Sequence, residues 1–187
     1  MIYSNSNKFM FYHIPKTAGT SLHTVLKRYA VGPHVNEPHL TRVRSHVGVE
    51  PTWDKYKGSE YFSFAIVRNP YDRMFSLYNF LKRRRIIKET LEEFIKNIGT
   101  KEPSQFKLLN YNGVVPLSFV GKFENLEEDF NFIADKIKIK ERYKDLPKLF
   151  KAVNNGNYKE QINNELKAII DEKHHDDFIN FNYKKEL

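Results

Sequence analysis

Twice in this 187-residue chain a short, aromatic-rich apolar run stops at a proline-containing loop and passes straight into helical spacing. The first run covers residues 8–14 (KFMFYHI) and ends at Pro15. Apolar runs of this length bounded by turn residues read as buried strands, and the proline holds Ile14 extended. Over residues 20–31 the pattern changes, with Leu22, Val25, Leu26 and Tyr29 at helical spacing. The second run, 61–67 (YFSFAIV), ends at Arg68-Asn69-Pro70 and leads into a helix over 71–85. Its apolar face is Met74, Phe75, Leu77, Tyr78 and Leu81. Residues 117–123 (LSFVGKF) read as a third strand and 32–60 as mostly loop. Further helices are expected over 90–98, 125–137 and 161–178. In the first, Thr90 is the N-cap and Glu93 completes a capping box. The second turns Leu126, Phe130, Ile133, Ala134 and Ile137 inward; the third, Ile162, Leu166, Ile169 and Ile170. Strands alternating with helices predict an α/β fold, a small central parallel sheet flanked by helices, in a single domain over 1–187. Ligands in such sheets sit at the carboxyl ends of the strands, where both loops lie.

Composition narrows the function. With 15 Phe and 11 Tyr the chain has enough apolar surface to offset chain entropy, which excludes disorder. The absence of cysteine excludes disulfides, thiolate catalysis and Cys-ligated zinc. No apolar run approaches the roughly 18 residues of a membrane span. The first residues lack a basic start followed by a long apolar stretch, so no secretory signal is read. These features point to the cytoplasm, although a trimmed form of a membrane-anchored enzyme reads the same. A net charge of +8 points to anionic partners.

The first loop, His13-Ile14-Pro15-Lys16-Thr17-Ala18-Gly19-Thr20-Ser21, has the chemistry of an anion cradle. Gly19 lets the backbone turn tightly and approach a ligand. The N–H groups of Thr17 to Ser21 converge at a helix N-terminus, where they lack intrahelical partners. Thr17, Thr20 and Ser21 add hydroxyl donors, and Lys16 adds a mobile charge. The Walker A pattern is absent, because the lysine precedes the glycine. An ordinary helix start capped by Thr20 or Ser21 explains the same residues equally well.

The second loop, Val67 to Tyr78, places Arg68 at a strand end, where its fork can grip a phosphate bidentately. Pro70 suits a helix start. Ser76 lies on the following helix, and a returning chain that brings it beside Arg68 would make a second anion site. Arg73 reads either as a ligand contact or as an ion pair with Asp72 or a glutamate. Tyr78 reads as core.

HIPKTAGTS followed by FAIVRNPYDRMFSLYNF resembles the PAPS-dependent sulfotransferases, especially the carbohydrate branch that includes heparan and chondroitin 2-O-type enzymes and small bacterial relatives. PAPS is 3′-phosphoadenosine 5′-phosphosulfate. The likeness continues over Val120-Gly121-Lys122-Phe123-Glu124-Asn125-Leu126-Glu127-Glu128-Asp129-Phe130 and into the tail. It implies a P-loop-like three-layer fold and one sulfotransferase domain. Lys16, Thr17, Gly19, Thr20 and Ser21 then match the 5′-phosphosulfate loop, with Lys16 also stabilising charge at the bridging oxygen. Arg68 and Ser76 match the pair that binds the 3′-phosphate. PAPS is the donor, adenosine 3′,5′-bisphosphate (PAP) the product, and no metal is implied.

A hydroxyl acceptor needs a proton acceptor, and histidine suits neutral pH. His13 reads as structural, and His23, His174 and His175 as packed or solvated. His34, His39 and His46 lie in the long loop before the second strand. Relatives often carry a segment like Pro38-His39-Leu40-Thr41 before a tryptophan, here Trp53. His39 is assigned as the base, with His46 as the alternative. Arg42 stands where relatives have a small residue. Arg42, Arg44, Lys55, Lys57 and the run Lys82-Arg83-Arg84-Arg85 could hold an anionic glycan; a small-molecule hydroxyl acceptor is the other candidate. No nucleic-acid partner is expected. The competing readings are a P-loop kinase, a basic polyanion- or nucleic-acid-binding module, and a relative that binds nucleotide without transfer.

Overall fold

The computed structural model describes residues 1–30, 49, 60–97, 101–147 and 158–187. The expected strand–loop–helix units are present. Strand β1 (Ile2–Ser4) precedes β2 (Phe9–Tyr12), and α1 (Gly19–Leu26) follows. Then come β3 (Phe62–Val67), α2 (Pro70–Arg83), α3 (Leu91–Asn97), α4 (Gln105–Leu109), β4 (Phe119–Lys122) and α5 (Leu126–Lys136). The chain closes with α6 (Tyr158–Gln161), α7 (Asn164–Lys173) and α8 (His175–Asn180).

The sheet order is β1-β2-β3-β4. β2, β3 and β4 are parallel, with Phe11 opposite Phe64 and Phe64 opposite Phe119. β1 adds an antiparallel edge, pairing Tyr3 with Met10. The sequence reading missed this strand because three residues are too few for periodicity to register.

The chain divides into two units. The first comprises Met1–Val67 and Leu108–Leu149 and contains the whole sheet. One face of β2 and β3 presents Phe9, Phe11, Phe64 and Ile66 to Leu22, Val25 and Leu26 of α1 and to Phe130, Ile133 and Ala134 of α5. Residues of the opposite face, Met10, Tyr12, Ser63, Ala65 and Val67, are buried too. Continuous burial explains why these strands read as unbroken apolar runs. The exit from β4 is set by Gly121 and Asp129. The Asp129 carboxylate accepts the Lys122 amide, and a Cβ on Gly121 would lie 2.7 Å from Ile66 and 3.1 Å from Asp129. The Gly…Asp spacing of this segment is therefore a packing requirement.

The second unit comprises Arg68–Lys107 and Phe150–Leu187. Its core joins Tyr71, Met74, Phe94, Ile95, Ile162, Leu166, Ile170 and Phe178, with Tyr78 packed alongside as expected. Helix α2 begins with Pro70 at its first position and Asn69 accepting the Tyr71 amide at 3.0 Å. The capping box of α3 is present: Glu93 accepts the Thr90 amide at 2.8 Å, and Thr90 Oγ1 accepts the Glu93 amide at 3.3 Å. The expected helix over 161–178 is instead broken at Ile162–Asn163 and again at His174. Asn163 caps α7 by accepting the Leu166 amide at 2.9 Å. After the second break, Asp177 of α8 accepts two amides of α4, a tertiary bond that helical periodicity does not reveal.

Candidate active site

In the first unit β2 and β3 are parallel neighbours, so the chain leaves both at the same edge of the sheet. The loop after β2 is built on alternating backbone handedness. Lys16 has φ 71° and Ala18 φ 62°, both left-handed, with Thr17 between them. Alternation of this kind is the backbone conformation of nests, concavities lined by successive N–H groups that can receive an anion. For residues other than glycine each left-handed conformation costs roughly 1–2 kcal/mol. Helix α1 starts directly after Ala18, which has no side chain to cap it. Its ladder opens with the Ser21 and Leu22 amides on the Ala18 carbonyl, at 2.9 and 3.2 Å. The Gly19 and Thr20 amides stand ahead of that ladder, where the helix dipole favours an anion.

Three expectations for this loop change. The N-cap is Ala18, not Thr20 or Ser21. Gly19 does not supply the left-handed turn; Lys16 and Ala18 do. Gly19 is required because the His13 ring occupies the place of its side chain. The hydroxyls also divide. Thr17, fully buried, donates to the Ile14 carbonyl at 2.9 Å, and Ser21 donates to the Pro147 carbonyl at 2.7 Å. Both protons brace the loop, leaving lone pairs rather than donors. Thr20 is half-buried and its hydroxyl makes no hydrogen bond among the described residues. Lys16 is half-buried on the strained turn.

In the second unit Arg68 is held at both ends. Its Nε donates to Asp72 at 2.7 Å, and its side chain is only 11% exposed. Its backbone amide donates to Gln105 Oε1, and its carbonyl accepts from Gln105 Nε2, each at 2.8 Å. Asp72 sits one helical turn before Ser76 on α2, so Ser76 shares the face that carries the ion pair. Ser76 is half-buried and its hydroxyl makes no hydrogen bond among the described residues. Arg73 forms an ion pair, though not with Asp72. Its guanidinium, 1% exposed, meets Glu102 at 2.7 Å and the Pro103 carbonyl at 3.2 Å. Burial lowers its pKa, and Glu102 and Asp177 oppose that shift. Tyr71 donates to Asp171, and burial followed by that bond raises its phenol far above the usual range.

Sequence reasoning missed Gln105, Asp177 and Asp72 as supports of Arg68. Only Asp72, at i+4 from Arg68, carried a local signal. His39 and the alternative base His46 lie outside the described residues, as do His34, Arg42, Arg44, Trp53, Lys55 and Lys57. His23 and His174 are buried, and His175 is exposed. Lys82, Arg83, Arg84 and Arg85 are all exposed; Lys82 donates to the carbonyls of Lys88 and Glu89, Arg83 donates to that of Asn79, and Arg84 lies over the Phe80 ring. Among the described residues no group of three or more His, Asp or Glu is placed to hold a metal ion. No helix among them is long and apolar enough to cross a membrane.

A family model described as the sulfotransferase family matches residues 1–184. No curated protein and no solved structure matches the chain. The family match runs through both loops and the sheet that carries them, and the chain therefore belongs to the sulfotransferase family, enzymes that transfer sulfuryl groups.

Proposed function

We propose that the chain takes the sulfuryl group from PAPS and passes it to a hydroxyl, releasing PAP. The carrying observation is the first loop. Two left-handed residues, Lys16 and Ala18, flank Thr17 immediately before a helix start that no side chain caps. That strain is matched to a ligand with a terminal phosphosulfate, whose charge the nest and helix end would meet. Arg68, anchored by Asp72 and Gln105, supplies a preset cation for the 3′-phosphate, and the unengaged Ser76 hydroxyl supplies a donor.

The transfer is in-line. The acceptor oxygen forms a bond to sulfur as the bond from sulfur to the bridging oxygen breaks. The electron pair leaves on the 5′-phosphate of PAP. Lys16 and the α1 N-terminus act most strongly at that point, because charge grows there in the transition state. The acceptor proton goes to His39, with His46 as the alternative. We read the acceptor as a carbohydrate hydroxyl, and an anionic glycan as drawn to the charge of Arg42, Arg44, Lys55, Lys57 and the Lys82–Arg85 run. As in phosphoryl transfer, positioning and charge stabilisation dominate, and the reading invokes no metal.

The test is calorimetric titration of wild type and Arg68→Ala with PAP, ADP and 5′-AMP. Selective binding of PAP that weakens at least about tenfold in the variant supports the reading. Equal or absent binding of all three overturns it and favours the polyanion-binding alternative. For the base, His39→Ala is expected to bind PAP normally and lose transfer; undiminished turnover removes His39 from the role.

A further inference from the structure

The Gln105 side chain makes a two-point clamp on the backbone of one residue, Arg68. Oε1 accepts the Arg68 amide and Nε2 donates to its carbonyl, both at 2.8 Å. The last ladder pair of β3 is Val67 with Lys122, so the clamp takes over at the next residue. Gln105 is fully buried and is itself held from behind. Asp177 Oδ2 accepts the Gln105 amide at 3.0 Å and Gln105 Nε2 at 3.2 Å, while Oδ1 accepts the Phe106 amide at 2.7 Å. Asp177 is fully buried too, 72 residues away along the chain from Gln105. Its charge faces the buried Arg73 guanidinium and His174, whose Nδ1 lies 3.6 Å away.

We propose that Gln105 and Asp177 are positioning residues for 3′-phosphate recognition: they lock the Arg68 backbone so that its guanidinium is presented in one orientation. The inference rests on the reading of Arg68 as the 3′-phosphate residue. An arginine free to swing loses side-chain entropy on binding. With the backbone clamped by Gln105 and Nε anchored by Asp72, Arg68 has most of that entropy removed before the ligand arrives. Capping of the short helix α4 would satisfy Asp177 on its own. It does not require the Gln105 amide to engage both backbone groups of Arg68.

The experiment compares PAP with 5′-AMP, which lacks the 3′-phosphate, on wild type, Arg68→Ala, Gln105→Met, Asp177→Asn and the Arg68→Ala/Gln105→Met pair. Thermal unfolding monitors the fold, and Gln105→Asn, whose uncharged amide is one methylene too short to span both Arg68 groups, replaces Gln105→Met where that variant does not fold. Gln105→Met and Asp177→Asn are expected to weaken PAP about tenfold, with 5′-AMP within about twofold of wild type. The double variant is expected to bind PAP no more weakly than Arg68→Ala alone. Unchanged PAP affinity in the folded Gln105 variant, equal losses for both nucleotides, or additive losses in the double variant overturn the proposal. If Arg68→Ala itself leaves PAP binding intact, the reading of Arg68 fails first and the proposal falls with it.

Discussion

The His13 imidazole occupies the space where a side chain on Gly19 would begin: a Cβ there would lie 1.7 Å from His13 Cδ2 and 1.8 Å from Nε2. Phe11 stacks on that ring at 5.9 Å, 15° from parallel. The end of β2 and the start of α1 are thus locked through one side chain and one missing side chain. The loop that bears Lys16 is closed between them.

Gly19→Ala is expected to cost at least about 2 kcal/mol, because His13 must leave its place beside Phe11 and the loop must open. In a His13→Ala background the same change is expected to cost under about 1 kcal/mol, since nothing then fills the space. Urea unfolding of the four proteins checks this. Equal costs in both backgrounds would show that the contact does not constrain the loop.

Ala18→Gly tests the strain. The substitution removes a left-handed penalty of roughly 1–2 kcal/mol and adds unfolded-state entropy of roughly 0.5–1 kcal/mol. The expected result is a melting temperature at or slightly above wild type. A loss of more than about 1 kcal/mol would mean that Ala18 carries packing that outweighs its backbone.

Glu141 predicts a pH dependence in the first unit. Burial alone would raise its carboxyl, but the Tyr29 hydroxyl and Arg28 hold it below the usual carboxylate range. A lowered folded pKa contributes stability that is full above the unfolded value and is lost as pH falls through the folded one. Glu141→Gln is therefore expected to be about 1–2 kcal/mol less stable than wild type at pH 7. That gap should narrow as the pH drops through and below the ordinary glutamate range. Denaturant unfolding at pH 7, 5, 4 and 3 reads it, and a gap that stays constant or widens contradicts the assignment.

How far the sequence reached depended on how far along the chain each interaction runs. The strand–loop–helix units, Pro70 at the start of α2 and the Thr90–Glu93 box rest on neighbours within four residues. Backbone preference and hydrophobic period encode such features locally, so the α/β class and the places of both loops at strand ends were legible. Inside the first loop, residue type did not give the local geometry. Glycine was credited with a turn that Lys16 and Ala18 make, and Ser21 with a donor that Pro147 takes from the other end of its unit.

Other features exist only once the chain is folded. The antiparallel edge β1 is specified by its partner β2 rather than by its own three residues. The interruption at His174 accompanies a carboxylate that answers amides 71 and 72 residues away. Gln105 carries no motif; its role comes from lying beside the one residue whose backbone leaves the β3 ladder. A buried polar group must find a partner wherever the fold places one. The sequence by itself determined the strand–loop–helix units, and the tertiary structure decided which distant side chains brace the two loops, because a buried polar group is satisfied only by what folding brings beside it.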